Sequence, residues 1–193
     1  MLTGLPSLAN ANLLTNGSFE SNAQAKGTWN IYNNLIGWTG QDLGGIELRN
    51  GVAGKASDEF NFAELDTSFN RSMFQTFNTI KGAMYDLSFD YSTRAGVSKQ
   101  SNLITVFWNG VELSSFTGRG LSKEGDNWLS LDFHVMGTGH DRLSFTATGD
   151  REGLSGSVDD VKLVATVPEP ESYILLLTGL GLLGFVSRRR KAI

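Results

Sequence analysis

Two histidines and the absence of cysteine limit the chemistry that this chain could perform. His134 lies in a segment of alternating apolar and polar residues, and His140 lies in a Gly-His-Asp turn. Without cysteine the chain has no disulfide, no thiolate nucleophile and no zinc–thiolate site. Two histidines alone are a poor zinc site, and the nucleophile motif Gly-x-Ser-x-Gly is missing from the sequence. These residues therefore predict no serine, thiol or zinc hydrolase.

Carboxylates are the most abundant reactive groups. Residues 12–167 contain 18 Asp and Glu against 12 Lys and Arg, a net charge of −6. This acidic balance argues against nucleic acid as a partner, because phosphates require a basic surface. Paired carboxylates could hydrolyse glycosidic bonds. However, a domain of about 156 residues built as a sandwich has little room for a deep cleft, so we expect no enzymatic activity.

Aromatic and planar polar side chains suggest sugar binding. Trp108 follows Phe107 at the tip of a predicted hairpin, and adjacent strand residues point to opposite faces, so one of the two must face outward. Tyr91 and Arg94 lie at the end of a strand, next to loops that could contact a ligand. We take Trp108, Tyr91 and Arg94 as the candidate ligand-binding residues. Two further tryptophans are expected in the core: Trp38 and Trp128.

Between residues 12 and 166 the apolar pattern predicts ten or eleven short strands joined by polar turns. In the segment 84–91, Tyr85, Leu87, Phe89 and Tyr91 share one face, and we expect Leu87 and Phe89 to be buried. The Asn-Gly pair between residues 108 and 111 predicts a tight hairpin. Residues 13–15 and 18–20 are also expected to be strands. No segment before residue 172 keeps a helical period, which favours an antiparallel β-sandwich.

The tail, residues 167–193, combines three kinds of segment. Pro168, Glu169 and Pro170 cannot be helical, residues 173–186 carry no charge, and four cations follow: Arg188, Arg189, Arg190 and Lys191. A helix over about 172–187 would span roughly 24 Å, short of the ~30 Å hydrocarbon core, and snorkelling cations can offset that difference. We predict a single transmembrane helix whose basic end is cytoplasmic. The alternative is a buried helix of a soluble domain, which the basic end disfavours.

The tail resembles the PEP-CTERM sorting signal of Gram-negative bacteria that make exopolysaccharide. The resemblance rests on the Pro-Glu-Pro motif at 168–170, the apolar segment 173–186 and the basic end 188–191. It implies an exosortase as the processing partner. It also implies a transient anchor in the inner membrane, with the mature protein on the cell surface or in the extracellular matrix.

Residues 1–11 end in Ala-Asn-Ala, the small-x-small pattern of a signal-peptidase site. We interpret this segment as the remnant of a signal peptide, although it lacks a basic region and a full apolar stretch. A frayed terminus is the alternative. The predicted division is therefore a remnant at 1–11, an ectodomain at 12–166 and a sorting tail at 167–193.

The ectodomain resembles galactose-binding-like jelly rolls, the fold of many carbohydrate-binding modules. Four motifs in order carry this resemblance: NLLTNGSFE at 12–20, AELDT at 63–67, residues 75–94 including GAMYDLSFDYSTR, and SVDDVKL at 157–163. The resemblance implies an all-β antiparallel jelly-roll sandwich with a structural calcium at one edge. Glu20 and Asp159 match its ligand positions, and Asp160 should face the other way. The alternative is that both carboxylates are exposed at a sheet edge.

Together these patterns predict an exported, non-catalytic protein of the envelope or exopolysaccharide matrix that binds polysaccharide. The alternative is a structural matrix or adhesin component without a discrete small ligand.

Overall fold

The fold is an all-β sandwich of two antiparallel sheets. The computed structural model describes residues 11–41, 45–66, 70–120, 127–150, 153–166 and Thr178. Within these residues twelve strands form two six-stranded sheets around one core, and no helix occurs in the described residues between 11 and 166. The predicted antiparallel sandwich is confirmed.

The strands of sheet A are β1 Thr28–Tyr32, β4 Ile46–Asn50, β5 Asn61–Glu64, β7 Met84–Ser92, β10 Trp128–Met136 and β12 Ser157–Ala165. The strands of sheet B are β2 Asn34–Leu35, β3 Trp38–Gln41, β6 Ser72–Asn78, β8 Ile104–Trp108, β9 Val111–Phe116 and β11 His140–Ala147. From one edge to the other, sheet A has the order β1-β4-β5-β12-β7-β10, and sheet B has the order β2-β3-β6-β11-β8-β9.

The core forms where the apolar faces of the two sheets meet. On β7, Leu87 and Phe89 are buried, as the alternating pattern predicted. From the opposite sheet, β11 contributes Leu143 and Phe145, which are also buried. The rings of Phe89 and Phe145 meet edge to face with centroids 4.9 Å apart, a favoured aromatic geometry. The central strands of both sheets therefore pack directly on each other.

The hairpin between β8 and β9 has the predicted turn. Asn109 and Gly110 have φ values of 52° and 80°, as the two central residues of a type I′ turn require. The hairpin prediction is confirmed.

The segments 13–15 and 18–20 differ from their prediction, because the structure forms bends and turns there instead of two strands. Phe19 takes a left-handed φ of 63°, which no regular strand allows. This region nevertheless packs along β12, where the Val161 amide donates a hydrogen bond of 3.0 Å to the Gly17 carbonyl. A Cβ atom on Gly17 would lie 1.9 Å from the Val161 oxygen, so this close approach requires glycine.

Several predictions fall on residues that the structure does not describe. They are residues 1–10 of the signal-peptide remnant, the Pro-Glu-Pro motif at 168–170, the transmembrane helix at about 172–187 apart from Thr178, and the basic end at 188–191. No helix in the described part of the chain has the length and apolar character needed to cross a membrane.

Candidate functional site

A groove of about 770 Å³ lies on the outer face of sheet B. This face is opposite to the core because β11 alternates: Leu143 and Phe145 point inward, while Arg142 and Ser144 point outward and are half-buried. The lining residues come from β3, β8, β11 and the turns beside them. They are Gln41, Phe107, Asn109, Gly110, Thr138, His140, Arg142 and Ser144.

An aromatic row crosses this outer face. Ser144 on β11 is paired with Phe74 on β6 and with Phe107 on β8. Both phenylalanines are half-buried, and they flank the small serine in register. The three residues therefore form an apolar strip with a hydroxyl at its centre, which the sequence alone did not predict.

Arg142 lies over the Phe74 end of this strip. Its guanidinium carbon is 3.6 Å from the centroid of the Phe74 ring, a cation–π contact. Its Nη2 donates a hydrogen bond of 2.9 Å to Oε1 of Gln41. Its buried Nε has no hydrogen-bond partner among the described residues. The arginine is thus held by a ring and an amide, and neither partner neutralises its charge.

Asp141 lies beneath the groove and binds two of its lining residues, Asn109 and Thr138. It is buried and accepts hydrogen bonds from Nδ2 of Asn109 at 2.5 Å and from the amide and hydroxyl of Thr138. The Thr79 hydroxyl also donates to it. Burial by itself raises the pKa of Asp141, but the hydrogen bonds from Thr79, Asn109 and Thr138 together outweigh it and lower the pKa to about 2. An ionised carboxylate therefore fixes two lining residues.

The structure corrects two of the predicted ligand residues, Trp108 and Tyr91. Trp108 is buried, and its Nε1 donates to the carbonyl of Met136 at 3.1 Å. Tyr91 is buried, and its hydroxyl donates to the carbonyl of Asn102 at 2.6 Å. Neither ring can stack on a sugar, so these two predictions are wrong. Of the adjacent pair at the hairpin, Phe107 is the one that faces the groove.

Arg94 follows β7 of sheet A and belongs to an ion-pair network. Its Nη1 lies 2.9 Å from Glu64, whose carboxylate also lies 2.8 Å from Arg49. Burial raises the pKa of Glu64 to about 7, although both arginines act to lower it. Arg94 is not among the residues that line the groove, so the structure does not bring it together with that site.

Trp38 is buried in the core, as expected, whereas Trp128 is only half-buried on β10. The Trp128 ring packs edge to face against Phe62 with centroids 5.8 Å apart. Its Nε1 donates to the carbonyl of Lys55 at 2.9 Å. Trp128 therefore attaches the segment around residue 55 to sheet A.

Glu20 and Asp159 bind neighbouring parts of one segment. Oε1 of Glu20 accepts hydrogen bonds from the amides of Phe60 and Asn61 at 2.9 and 2.5 Å. Oδ2 of the buried Asp159 accepts from the amides of residues 57 and 58 at 2.8 and 3.0 Å. The two carboxylates therefore hold the segment 57–61 from both of its ends.

Among the described residues, no group of three or more His, Asp or Glu side chains is arranged to hold a metal ion. A calcium at Glu20 and Asp159 would therefore need backbone carbonyls for most of its ligands, which calcium accepts. The calcium site stays a prediction. The two histidines lie in different sheets, His134 in β10 and His140 in β11.

Sequence comparison matches residues 166–191 to the PEP-CTERM protein-sorting motif. The chain carries a PEP-CTERM sorting signal. The motif implies export handled by an exosortase, and it confirms the resemblance drawn from the tail of the sequence.

Over 157 residues, 78% of its length, the chain is 30% identical to the multifunctional-autoprocessing repeats-in-toxin of Vibrio cholerae. It is also 30% identical to the protein of the same name from Vibrio vulnificus over 156 residues. The chain spans about 3% of the length of these two curated relatives.

Solved structures with the same fold include carbohydrate-binding modules. The CBM22-1 xylan-binding domain of Paenibacillus barcinonensis Xyn10C matches with a TM-score of 0.51, 12% identity and coverage of 84% of this chain and 99% of that one. A family 61 module solved with β-1,4-galactotriose matches with a TM-score of 0.50, 18% identity and coverage of 80% and 99%. A GH51 arabinofuranosidase matches over 27% of its own chain, with a TM-score of 0.55, 15% identity and coverage of 83% of this chain. The sandwich is thus of the carbohydrate-binding-module jelly-roll type.

The lowered pKa of Asp141 predicts a specific pH dependence. In the unfolded chain its pKa returns to the ordinary 3.8, so the ionised carboxylate stabilises the fold above that pH and this contribution is lost as the pH falls from 3.8 towards 2. We expect Asp141→Asn to lower the free energy of unfolding by about 2 kcal/mol at pH 7. Urea unfolding should show most of that difference gone at pH 2.5.

The exposed Asp132 on β10 provides the control, and Asp132→Asn should leave stability unchanged at both pH values. An Asp141→Asn penalty of the same size at pH 7 and pH 2.5 would contradict this account of the groove rim.

Proposed function

We propose that the chain is an exported, non-catalytic carbohydrate-binding module and that its ligand lies in the groove on sheet B. The observation that carries the proposal is the row Phe74–Ser144–Phe107 across three strands. Sugar rings present apolar C–H faces and a rim of hydroxyl groups, so a ligand site for them needs both aromatic surface and planar polar groups. The groove offers Phe107 for the first and Gln41, Asn109 and Arg142 for the second, while Phe74 lies beneath the Arg142 guanidinium.

The similar structures support this class of ligand. One is described as a xylan-binding domain and another was solved with a galactotriose. The polysaccharide proposed for this chain is a component of the envelope or exopolysaccharide matrix, since the sorting motif implies export.

Binding should depend on Phe107. Phe107→Ala removes the apolar surface beside Ser144, and we expect it to weaken binding roughly tenfold or more, about 1.4 kcal/mol. Affinity electrophoresis and calorimetry with xylan, β-1,4-galactan and polysaccharide from the producing strain would measure the loss. Phe60→Ala is the matched control, because Phe60 is 64% exposed beside Lys55 and Glu59, outside the groove.

If saturable binding is unchanged in Phe107→Ala, the ligand binds outside the groove. If no polysaccharide binds saturably, the chain is instead a structural matrix or adhesin component.

We also propose that Glu20 and Asp159 hold a structural calcium with carbonyl oxygens of the 51–60 loop. The proposal rests on both carboxylates binding the same irregular segment, Asp159 at residues 57 and 58 and Glu20 at residues 60 and 61. Burial raises the pKa of Asp159 to about 8, and a bound cation would offset the cost of burying its negative charge. Calcium would then stabilise the attachment of the loop to sheet A.

Chelation should therefore lower the melting temperature of the wild-type protein. An ion bound only by the folded state stabilises it by about 2.7 kcal/mol at a hundredfold excess over Kd. Asp159→Ala should abolish the difference between chelated and calcium-loaded protein. Asp160→Ala, which removes a surface pair with Lys162, should keep it. Equal melting temperatures for the wild type with and without calcium would end this proposal.

For the tail we propose a single transmembrane helix at about 172–187 with residues 188–191 in the cytoplasm, followed by exosortase cleavage near Pro168–Pro170. In cells with an exosortase, intact-mass measurement should show mature protein without its last residues. Replacing Pro168, Glu169 and Pro170 by alanine should retain the protein in the inner membrane. Envelope protein that keeps Arg188–Ile193 would contradict the proposal.

A further inference from the structure

The charge of the groove distinguishes it from the domain around it. Residues 12–167 carry a net charge of −6, yet no Asp or Glu is among the described residues that line the groove. The lining consists of one arginine, one histidine, two amides, two hydroxyl residues, a phenylalanine and a glycine. A ligand in the groove therefore meets positive charge without an opposing carboxylate on the lining.

Two carboxylates are close to the groove by strand position, Asp141 and Glu112. Asp141 lies beneath the rim, where its oxygens accept hydrogen bonds from Asn109, Thr138 and Thr79. Glu112 is exposed and paired with Phe107 across the hairpin, where it accepts a hydrogen bond of 2.9 Å from Ser115, and it does not line the groove. In the described part of the chain, no carboxylate is within ion-pair distance of Arg142.

The position of Arg142 is fixed before any ligand arrives. Its guanidinium lies 3.6 Å above the Phe74 ring, and Nη2 is held by Gln41. A fixed planar guanidinium can bind a carboxylate through two parallel hydrogen bonds, and little side-chain entropy is lost because the side chain is already ordered. The same group offers a neutral sugar only ordinary hydrogen bonds.

We propose that the groove binds an acidic polysaccharide, in which the carboxylate of a uronic acid residue is bound by Arg142 while the sugar ring packs beside Phe107. This inference rests on the proposed carbohydrate-binding function and specifies its ligand class. The carboxylate supplies the negative charge that the lining lacks, and the groove surface formed by Ser144 and Phe107 accommodates the ring.

The test compares acidic polysaccharide fragments with the same fragments after their carboxylates have been converted to neutral groups. Polygalacturonate and alginate fragments would be titrated into the protein by calorimetry, together with the same fragments after chemical reduction of their carboxyl groups. We expect at least one acidic fragment to bind roughly tenfold or more tightly than its reduced form. Arg142→Gln should remove that difference in affinity. Arg142→Lys keeps the positive charge but cannot make two parallel hydrogen bonds, so it should retain part of the difference.

Lys26→Gln is the matched control for net charge, because Lys26 is exposed and lines a different pocket beside Asn50 and Gly51. This variant should keep the full preference for the acid. Melting curves of the arginine variants would show that they are folded.

Two results would overturn the inference and leave the proposed function standing. One is that a reduced fragment binds as tightly as the acidic fragment and that Phe107→Ala weakens the binding of both. The other is an acid preference that Arg142→Gln leaves intact. If neither form of any fragment binds, the acidic ligand class is wrong. If xylan, galactan and the strain's own polysaccharide also fail to bind, the carbohydrate-binding function itself is wrong.

Discussion

The pairing of β11 with β6 on one side and β8 on the other determines which side chains form the core and which face the groove. Because side chains alternate across a strand, each inward residue of β11 fixes the direction of its neighbours. Leu143 and Phe145 pack in the core, so Arg142 and Ser144 must face outward. The same register that closes the core aligns Phe74, Ser144 and Phe107 in one row. A shift of one residue would bury Arg142 and expose Phe145.

Part of the outer face of sheet A is covered by connecting loops, unlike the groove face of sheet B. Glu64 and Asp159 are on the side of their strands opposite to Ala63 and Val158, which lie in the core, yet both carboxylates are fully buried. Backbone amides and side chains from the connecting loops cover them, including Ser57, Arg94 and Ser155. These carboxylates bind loops to the sheet, and that part of the face is closed to a ligand.

The strands and the main hairpin could be predicted from sequence because they depend on local alternation and on the Asn-Gly turn. The segments 13–15 and 18–20 were wrongly predicted as strands, because the left-handed residues of this region and its close contact with Val161 depend on a distant strand. The alternation of side chains along β8 also did not determine whether Trp108 faces the core or the solvent. It indicates that Phe107 and Trp108 point in opposite directions, but only the register with Leu143 decides which one is buried.

The groove could not be predicted from sequence for the same reason. Phe74, Phe107 and Ser144 are far apart in the chain, and no spacing rule connects them before the sheet order is known. The available signal was the segment Arg142-Leu-Ser-Phe, whose alternation leaves one cation and one small hydroxyl outside.

The central claim is that a sugar occupies the outer face of sheet B, and amide chemical-shift mapping tests it most directly. The isotope-labelled protein would be titrated with the polysaccharide fragment that binds it most tightly. The largest shifts are expected at Phe74, Phe107 and Arg142–Ser144 on β6, β8 and β11. Shifts confined to residues 51–60 or to the strands of sheet A would contradict the account.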